Sequence, residues 1–256
     1  MKKIVLYLKG YLRRPYLWID LVRQPFRLLA LRHPREDTRE RAYQWARSVK
    51  RSEAVDKITG GQLKIDELFE RHSSALQVAE QRVGEQPVRL GGGGAIDLIY
   101  SLVRWKKPSF VVETGVASGW SSLAVLLALK DNEMGFLVSV DRPDMRVLKD
   151  DIIGAAVLPD LYDRWTLLRG VDRDNLPRAL GAAGDALEFF HYDSDKSYFG
   201  RKWAYRKAWE ALQPGGVFIS DDIEDNTAFK DFCVGLDADP VVVSKGDGFV
   251  GVVFKH

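Results

Sequence analysis

Asp193, Asp221 and Asp222 are the residues of this chain with the most chemistry to offer. They stand at the ends of two short apolar runs, 187–193 and 217–221, that read as strands. Adjacent parallel strands bring such terminal acids together at one edge of a sheet. Three clustered carboxylates suit a hard cation, since Mg²⁺ takes a few carboxylate oxygens and completes its octahedron with water and substrate oxygens. A cation there would hold a hydroxyl and lower its pKa. Lys196, three residues past Asp193, is the candidate base if burial and the metal lower its own pKa far enough to accept the proton. The plainer alternative is that these acids cap helices or sit in solvated loops, with Lys196 paired to Asp195 or to a substrate phosphate.

A second constellation lies upstream. Glu113-Thr114-Gly115-Val116-Ala117-Ser118-Gly119-Trp120-Ser121 follows an apolar strand and opens a helix over 123–130. Its glycines let backbone approach a ligand at the carboxyl end of the first strand, the usual crevice of an open α/β sheet. The spacing is Gly-x-x-x-Gly, not the Gly-x-Gly-x-x-Gly of a dinucleotide site, which favours a nucleoside with an amino-acid tail over a pyrophosphate. A nicotinamide-dependent oxidoreductase is thereby the lesser alternative. The next strand ends in Asp141, a carboxylate placed to accept hydrogen bonds from both ribose hydroxyls. His191, two residues before Asp193 on one strand face, reads as a core histidine. Trp203, Tyr205 and Trp209 read as packing on the sheet, with Tyr198 the exception most suited to a substrate.

These residues need a scaffold. From Ser109 onward, short β-branched and aromatic runs at 110–113, 136–141, 166–169, 187–193 and 217–221 alternate with helical segments, the pattern of a parallel sheet covered on both faces. Runs 241–244 and 249–254 flank Lys245-Gly246-Asp247-Gly248, and the Asp-Gly pair is expected to supply the positive φ of a tight hairpin. Four glycines, Gly91 to Gly94, precede an apolar helix over 95–103. The reading is an α/β, Rossmann-like sheet with a C-terminal antiparallel hairpin in domain 87–256, preceded by a helical extension over 1–86.

At this point the sequence resembles the class I S-adenosylmethionine (SAM)-dependent methyltransferases over roughly residues 88–256, and within them the metal-dependent O-methyltransferases of the catechol type and the bacterial sugar and macrolide type. The resemblance implies SAM as cofactor. It places Glu113, Gly115, Ala117 and Gly119 beside the methionine moiety, Ser121 on its carboxylate and Asp141 on the ribose. Gly170-Val171-Asp172 would flank the adenine, and Asp193 would serve both cofactor and metal. Such relatives carry an Asp-x-x-Lys pattern, matched here by Asp193 and Lys196, and an acidic or Asp-Asn pair after the fifth strand, matched by Asp221-Asp222. The implied activity is O-methylation of a sugar, glycan or natural-product hydroxyl, the acceptor lipid-linked in one version. A methyltransferase-like module that binds SAM without turning it over remains the alternative.

Composition bounds the remaining choices. At 46% apolar and 29% charged residues, the 256-residue chain has the balance of an ordinary globular protein. Its net charge of +2 conceals an asymmetry: residues 1–35 hold nine Lys or Arg against one acid, Asp20, leaving the rest at −6. Without a nucleic-acid motif this stripe does not point to DNA or RNA. It suits short amphipathic helices that either lie on an anionic membrane surface or form a lid or a contact with a second copy. The single Cys233, without zinc-ligand spacing, fits a reducing cytoplasmic compartment, and the interrupted apolar run at the N-terminus reads as neither signal peptide nor membrane span.

Overall fold

The computed structural model describes residues 9–20, 22–23, 35–49, 59, 67–145 and 152–256. Helices α1 (Arg35–Val49), α2 (Glu67–Gly84) and α3 (Ile96–Lys106) precede β1 (Phe110–Thr114), α4 (Trp120–Asp131) and β2 (Phe136–Asp141). Then come β3 (Trp165–Arg169), α5 (Asp172–Ala183), β4 (Leu187–Tyr192), α6 (Tyr198–Ala211), β5 (Val217–Ser220), α7 (Ala228–Gly235), β6 (Val241–Lys245) and β7 (Gly248–Phe254). The expected break at Gly60-Gly61 lies outside the described residues.

The strands line up as β3-β2-β1-β4-β5-β7-β6. Pairings from β3 through β5 are parallel, and β7 runs antiparallel to both β5 and β6. Sequence order reverses at β1, whose neighbours are β2 and β4, so the ligand crevice is expected at the carboxyl ends of these strands.

Strand alternation divides the apolar residues between two cores. Val111, Leu137, Phe189 and Ile219 face α3 and α4, while Val112, Val138, Phe190 and Phe218 face α5, α6 and α7. Helix α4 is buried along nearly its whole length, which is why its sequence is apolar all round. Leu68, Ala79 and Val83 of α2 join the first core and Ala46 of α1 the second, so the helices before Pro87 help to build the sheet's two layers. No described helix is long and apolar enough to cross a membrane.

The hairpin closes through Lys245↔Gly248, leaving Gly246 and Asp247 as a two-residue loop. The positive φ falls on Gly246 (53°), not on the Asp-Gly pair expected from the sequence. Gly at the first loop position is what a type II′ turn requires, and it leaves Lys245 at the very end of β6.

Candidate active site

Register carries each acid to the same sheet edge. Thr114 stands opposite Tyr192, and Tyr192 opposite Ser220, so the next residues along β4 and β5, Asp193 and Asp221, leave the sheet side by side. The ladder continues one step: the Asp193 amide donates to the Thr114 carbonyl (2.8 Å) and the Asp221 amide to the Tyr192 carbonyl (2.9 Å). Asp193, Asp221 and Asp222 each present a carboxylate oxygen within 4.8 Å of the others.

Two lysines meet this triad. Lys196 Nζ bonds Asp193 and lies 2.8 Å from Asp222 Oδ2, while Lys245 Nζ bonds Asp221 and lies 3.7 Å from Asp222 Oδ1. The sequence reading made Lys196 the base on condition that burial and a bound metal lower its pKa. Burial does act in that direction, but the Asp193 and Asp222 carboxylates outweigh it and hold the ammonium form above its ordinary range. Burial pushes the Asp193 carboxyl up; Lys196 pulls against this and Asp221 adds to it.

Beneath the triad, the guanidinium of Arg201 is fully buried and donates to the carbonyls of Asp221 (3.1 Å) and Asp222 (2.9 Å). It holds Asp222 in the left-handed region (φ 49°), a conformation that costs an aspartate of order 1–3 kcal/mol unless its surroundings impose it.

Two adjoining cavities share Ala117, Asp193 and Lys196. The larger, about 1060 Å³, is lined by Gly115, Asp141, Val171 and Asp172 among others. The smaller, about 340 Å³, takes in Gly91 to Gly94, Ser121, His191, Asp221, Asp222 and Lys245. Asp141 Oδ2 accepts from the Ala117 amide (3.0 Å), and Asp172 Oδ2 from Ser194 Oγ (2.5 Å). Burial, reinforced by the charges of Asp172 and Glu113, pushes the Asp141 carboxyl up to about 7.

Three expected contacts lie elsewhere. Glu113 is wholly buried and lines neither cavity; its carboxylate accepts from Ser122 Oγ (2.5 Å) and Ser139 Oγ (2.8 Å) and pairs with His191 Nδ1 (3.3 Å). The reason is register: Ser139, Glu113 and His191 stand side by side on β2, β1 and β4, on the face covered by α4. Gly119 also lines neither cavity. It caps α4 at φ 92°, and a Cβ there would lie 2.7 Å from Gly154 Cα, so it seats the 152–157 segment. Gly170, at φ 153°, abuts the Asn175 side chain, whereas its neighbours Val171 and Asp172 do line the larger cavity.

Gly115 is where the loop cannot tolerate a side chain, because a Cβ would lie 2.0 Å from the Asp193 carbonyl oxygen at φ 85°. Gly115→Ala should therefore lower stability by more than the roughly 1–3 kcal/mol of backbone strain alone. Urea unfolding checks this; an unchanged midpoint would mean the β1 and β4 exits can separate freely.

Residues 112–223 match the family described as a methyltransferase domain. The chain also superposes on the O-methyltransferase of Bacillus cereus in complex with S-adenosylhomocysteine (SAH), with TM-score 0.57, 17% identity and coverage of 82% of this chain and 100% of that one.

This chain has the Rossmann-like methyltransferase fold.

Its fold is shared with TomG of Streptomyces achromogenes, an O-methyltransferase of tomaymycin synthesis solved with SAM (TM-score 0.51, 18% identity, 79% of this chain and 96% of that one). It is shared too with the SAH-bound methyltransferase PaMTH1 of Podospora anserina (TM-score 0.51, 15% identity, 80% and 97%). A search of the curated proteins finds no match.

Lys245 and Arg201 are neighbours of the triad that the sequence reading does not name, and His191 reads there as a core residue. His191 is buried and paired as a core histidine would be, yet it also lines the smaller cavity. Lys245 carried one usable signal, its position at a hairpin end, where a side chain can reach a neighbouring strand's exit.

Proposed function

We propose that this chain is a SAM-dependent O-methyltransferase assisted by a divalent cation and acting on a hydroxyl of a sugar or natural-product acceptor. The observation that carries the reading is the meeting, at one sheet edge, of a nucleoside-sized cleft holding Asp141 and a smaller cavity holding three acids, with Asp193 lining both. The association of one structural neighbour with tomaymycin synthesis supports a natural-product acceptor.

Asp141 would accept the ribose hydroxyls, and Ser121 with the Gly91 to Gly94 backbone would receive the methionine carboxylate. Asp193, Asp221 and Asp222 fit a hard divalent cation: all three offer oxygen, they lie within reach of one ion, and a cation would offset the burial and the Asp221 charge that raise Asp193. Held there, such a cation supplies Lewis-acid activation of the acceptor hydroxyl and cancels carboxylate charge. With that charge cancelled, Lys196 would be released from the carboxylates that keep it protonated and would take the acceptor hydroxyl's proton at Nζ as that oxygen displaces sulfur from the methyl carbon. A catalytically silent SAH-binding module has one observation in its favour, namely that Lys196 and Lys245 already pair with all three carboxylates. Methyl transfer to any acceptor decides between the two readings.

Calorimetric titration of SAH tests the first step without an acceptor, and one equivalent per chain is expected. Its pH dependence follows from Asp141. In the ligand-free fold this acid keeps its proton up to about pH 7, whereas the unfolded chain releases it near 3.8, so its contribution to stability falls as pH rises across that window. Ribose hydroxyls donate to the ionised form, so SAH affinity should rise about tenfold from roughly pH 6 to roughly pH 8 and then level off. Asp141→Asn should bind weakly and without that slope; no heat from the wild type would move the reading away from SAM altogether.

A further inference from the structure

Residues 9–20, 22 and 23 are built inside out. Their inward side holds Gly10, Tyr11, Arg14, Leu17 and Asp20. Tyr11 and Leu17 pack with Met145 and Val171, and a Cβ on Gly10 would strike the Met145 carbonyl oxygen at 2.5 Å, so the segment lies directly on the loop after β2. Asp20, 2% exposed, accepts from Tyr11 Oη (2.9 Å) and pairs with Arg142 (2.8 Å). Asp20 and Arg23 line the larger cleft, and Arg23 pairs with Asp174 (2.8 Å), so the segment borders the nucleoside end of the site.

The outward side is apolar. Leu12 (69% exposed), Tyr16, Trp18, Ile19 and Val22 (71%) project from it, five of the twelve large exposed hydrophobic side chains among the described residues. The remaining seven are scattered between residues 69 and 234. Trp18 Nε1 donates to the Tyr11 carbonyl (2.9 Å), which ties this half-exposed ring to its own segment. Lys9 and Arg13 accompany the apolar residues on the outer side. The segment's only acid is the one turned inward, and residues 1–35 contain no other against nine Lys or Arg.

We infer that this face is a docking surface for an anionic lipid bilayer, which sets the mouth of the larger cleft against the membrane. A soluble amphipathic segment turns its apolar side in and its charges out; here the buried side carries an ion pair and the exposed side carries aliphatic and aromatic groups among cations. Such a face suits a headgroup layer, where aliphatic side chains enter the acyl boundary, Trp and Tyr sit at the interface, and Lys and Arg meet anionic phosphates. A second copy of this chain fits less well, because a two-fold contact would set these cations against themselves. Nucleic acid offers nothing for Leu12, Ile19 and Val22 to bury into.

The test is flotation of the full-length protein with vesicles of phosphatidylcholine, alone or mixed with phosphatidylglycerol, at low salt. Partitioning should be about tenfold or more stronger onto the anionic vesicles. The triple variant Leu12→Ser/Trp18→Ser/Ile19→Ser should lose it while retaining the wild-type circular dichroism and unfolding midpoint, since all three side chains are exposed. Arg13→Glu should weaken it separately. The inference is overturned by absence of co-flotation, by equal binding to neutral vesicles, or by undiminished flotation of the triple variant. A doubled mass in solution that the triple variant abolishes would assign the face to self-association and overturn it too. Because SAH titration needs no membrane, failure of flotation leaves the methyltransferase reading standing, and the converse holds.

Discussion

Asp222→Ala should reduce methyl transfer by about a thousandfold or more while SAH binds as to the wild type, the scale of loss expected when a group that stabilises developing charge is removed. The ribose end of the cofactor would rest on Asp141 in the larger cavity, which Asp222 does not line. Asp222 is ionised at neutral pH, since burial disfavours its charge but Lys196, Lys245 and Arg201 together hold its pKa below the ordinary carboxylate value. Losing it removes a third of the triad's charge and a partner of both lysines. Mn²⁺ affinity, read by paramagnetic resonance, should fall in parallel with turnover. A control is needed because position 222 has φ 49°, where Ala is strained. Asp222→Gly adopts that backbone freely, and it should unfold like the wild type yet be as inactive as the alanine variant. Unchanged turnover in either variant would remove the cation from the mechanism.

How far such a site is legible from sequence depends on which contacts follow from strand order. Asp141, Asp193 and Asp221 stand at the ends of β-branched or aromatic runs, and a parallel sheet carries such ends to one edge whatever the details. Their convergence could therefore be read before any coordinates existed. Lys245 could be read only as far as its place at a hairpin end, because its contact with Asp221 depends on β7 inserting between β5 and β6 and on a loop of only two residues. Arg201 gave no signal at all, being one cation among several on α6, and only the helix's seating on β5 turns it beneath the triad. The direction in which Lys196 is held has a related cause: its burial follows from its place just after β4, but the sequence does not say that Asp193 and Asp222 both lie within reach of one ammonium. Glu113 is the instructive case. Strand alternation places it with Val111 on the face covered by α4, so its burial was implicit in the sequence, yet a carboxylate just before a glycine loop invites assignment to the ligand.

That burial makes Glu113 the stability keystone of the site's floor. Glu113→Ala should cost about 3–5 kcal/mol, the usual penalty for breaking a buried ion pair from one side. The variant strands His191, at 2% exposure, and removes the acceptor of Ser122 Oγ and Ser139 Oγ. Ser139 Oγ also accepts from Trp165 Nε1 (2.9 Å), so the disturbance reaches β3. The pH dependence identifies charge as the cause. Burial opposes ionisation of both partners, but the pairing, helped at Glu113 by the serines, prevails, lowering Glu113 and raising His191 from ordinary values of 4.5 and 6.5. A lowered acid contributes above its unfolded pKa and loses that contribution as pH falls through its folded value; a raised histidine contributes fully below 6.5 and loses it as pH rises through its folded value. The pair is therefore worth most between 4.5 and 6.5, and Glu113→Gln, which keeps the shape without the charge, should differ most from the wild type in that window. Urea unfolding near pH 6 and near pH 9 measures the difference. A gap that narrows at the higher pH is the signature of an ionised pair, whereas an equal gap at both would mean that Glu113 acts through hydrogen bonds alone and that His191 is neutral beneath the cleft.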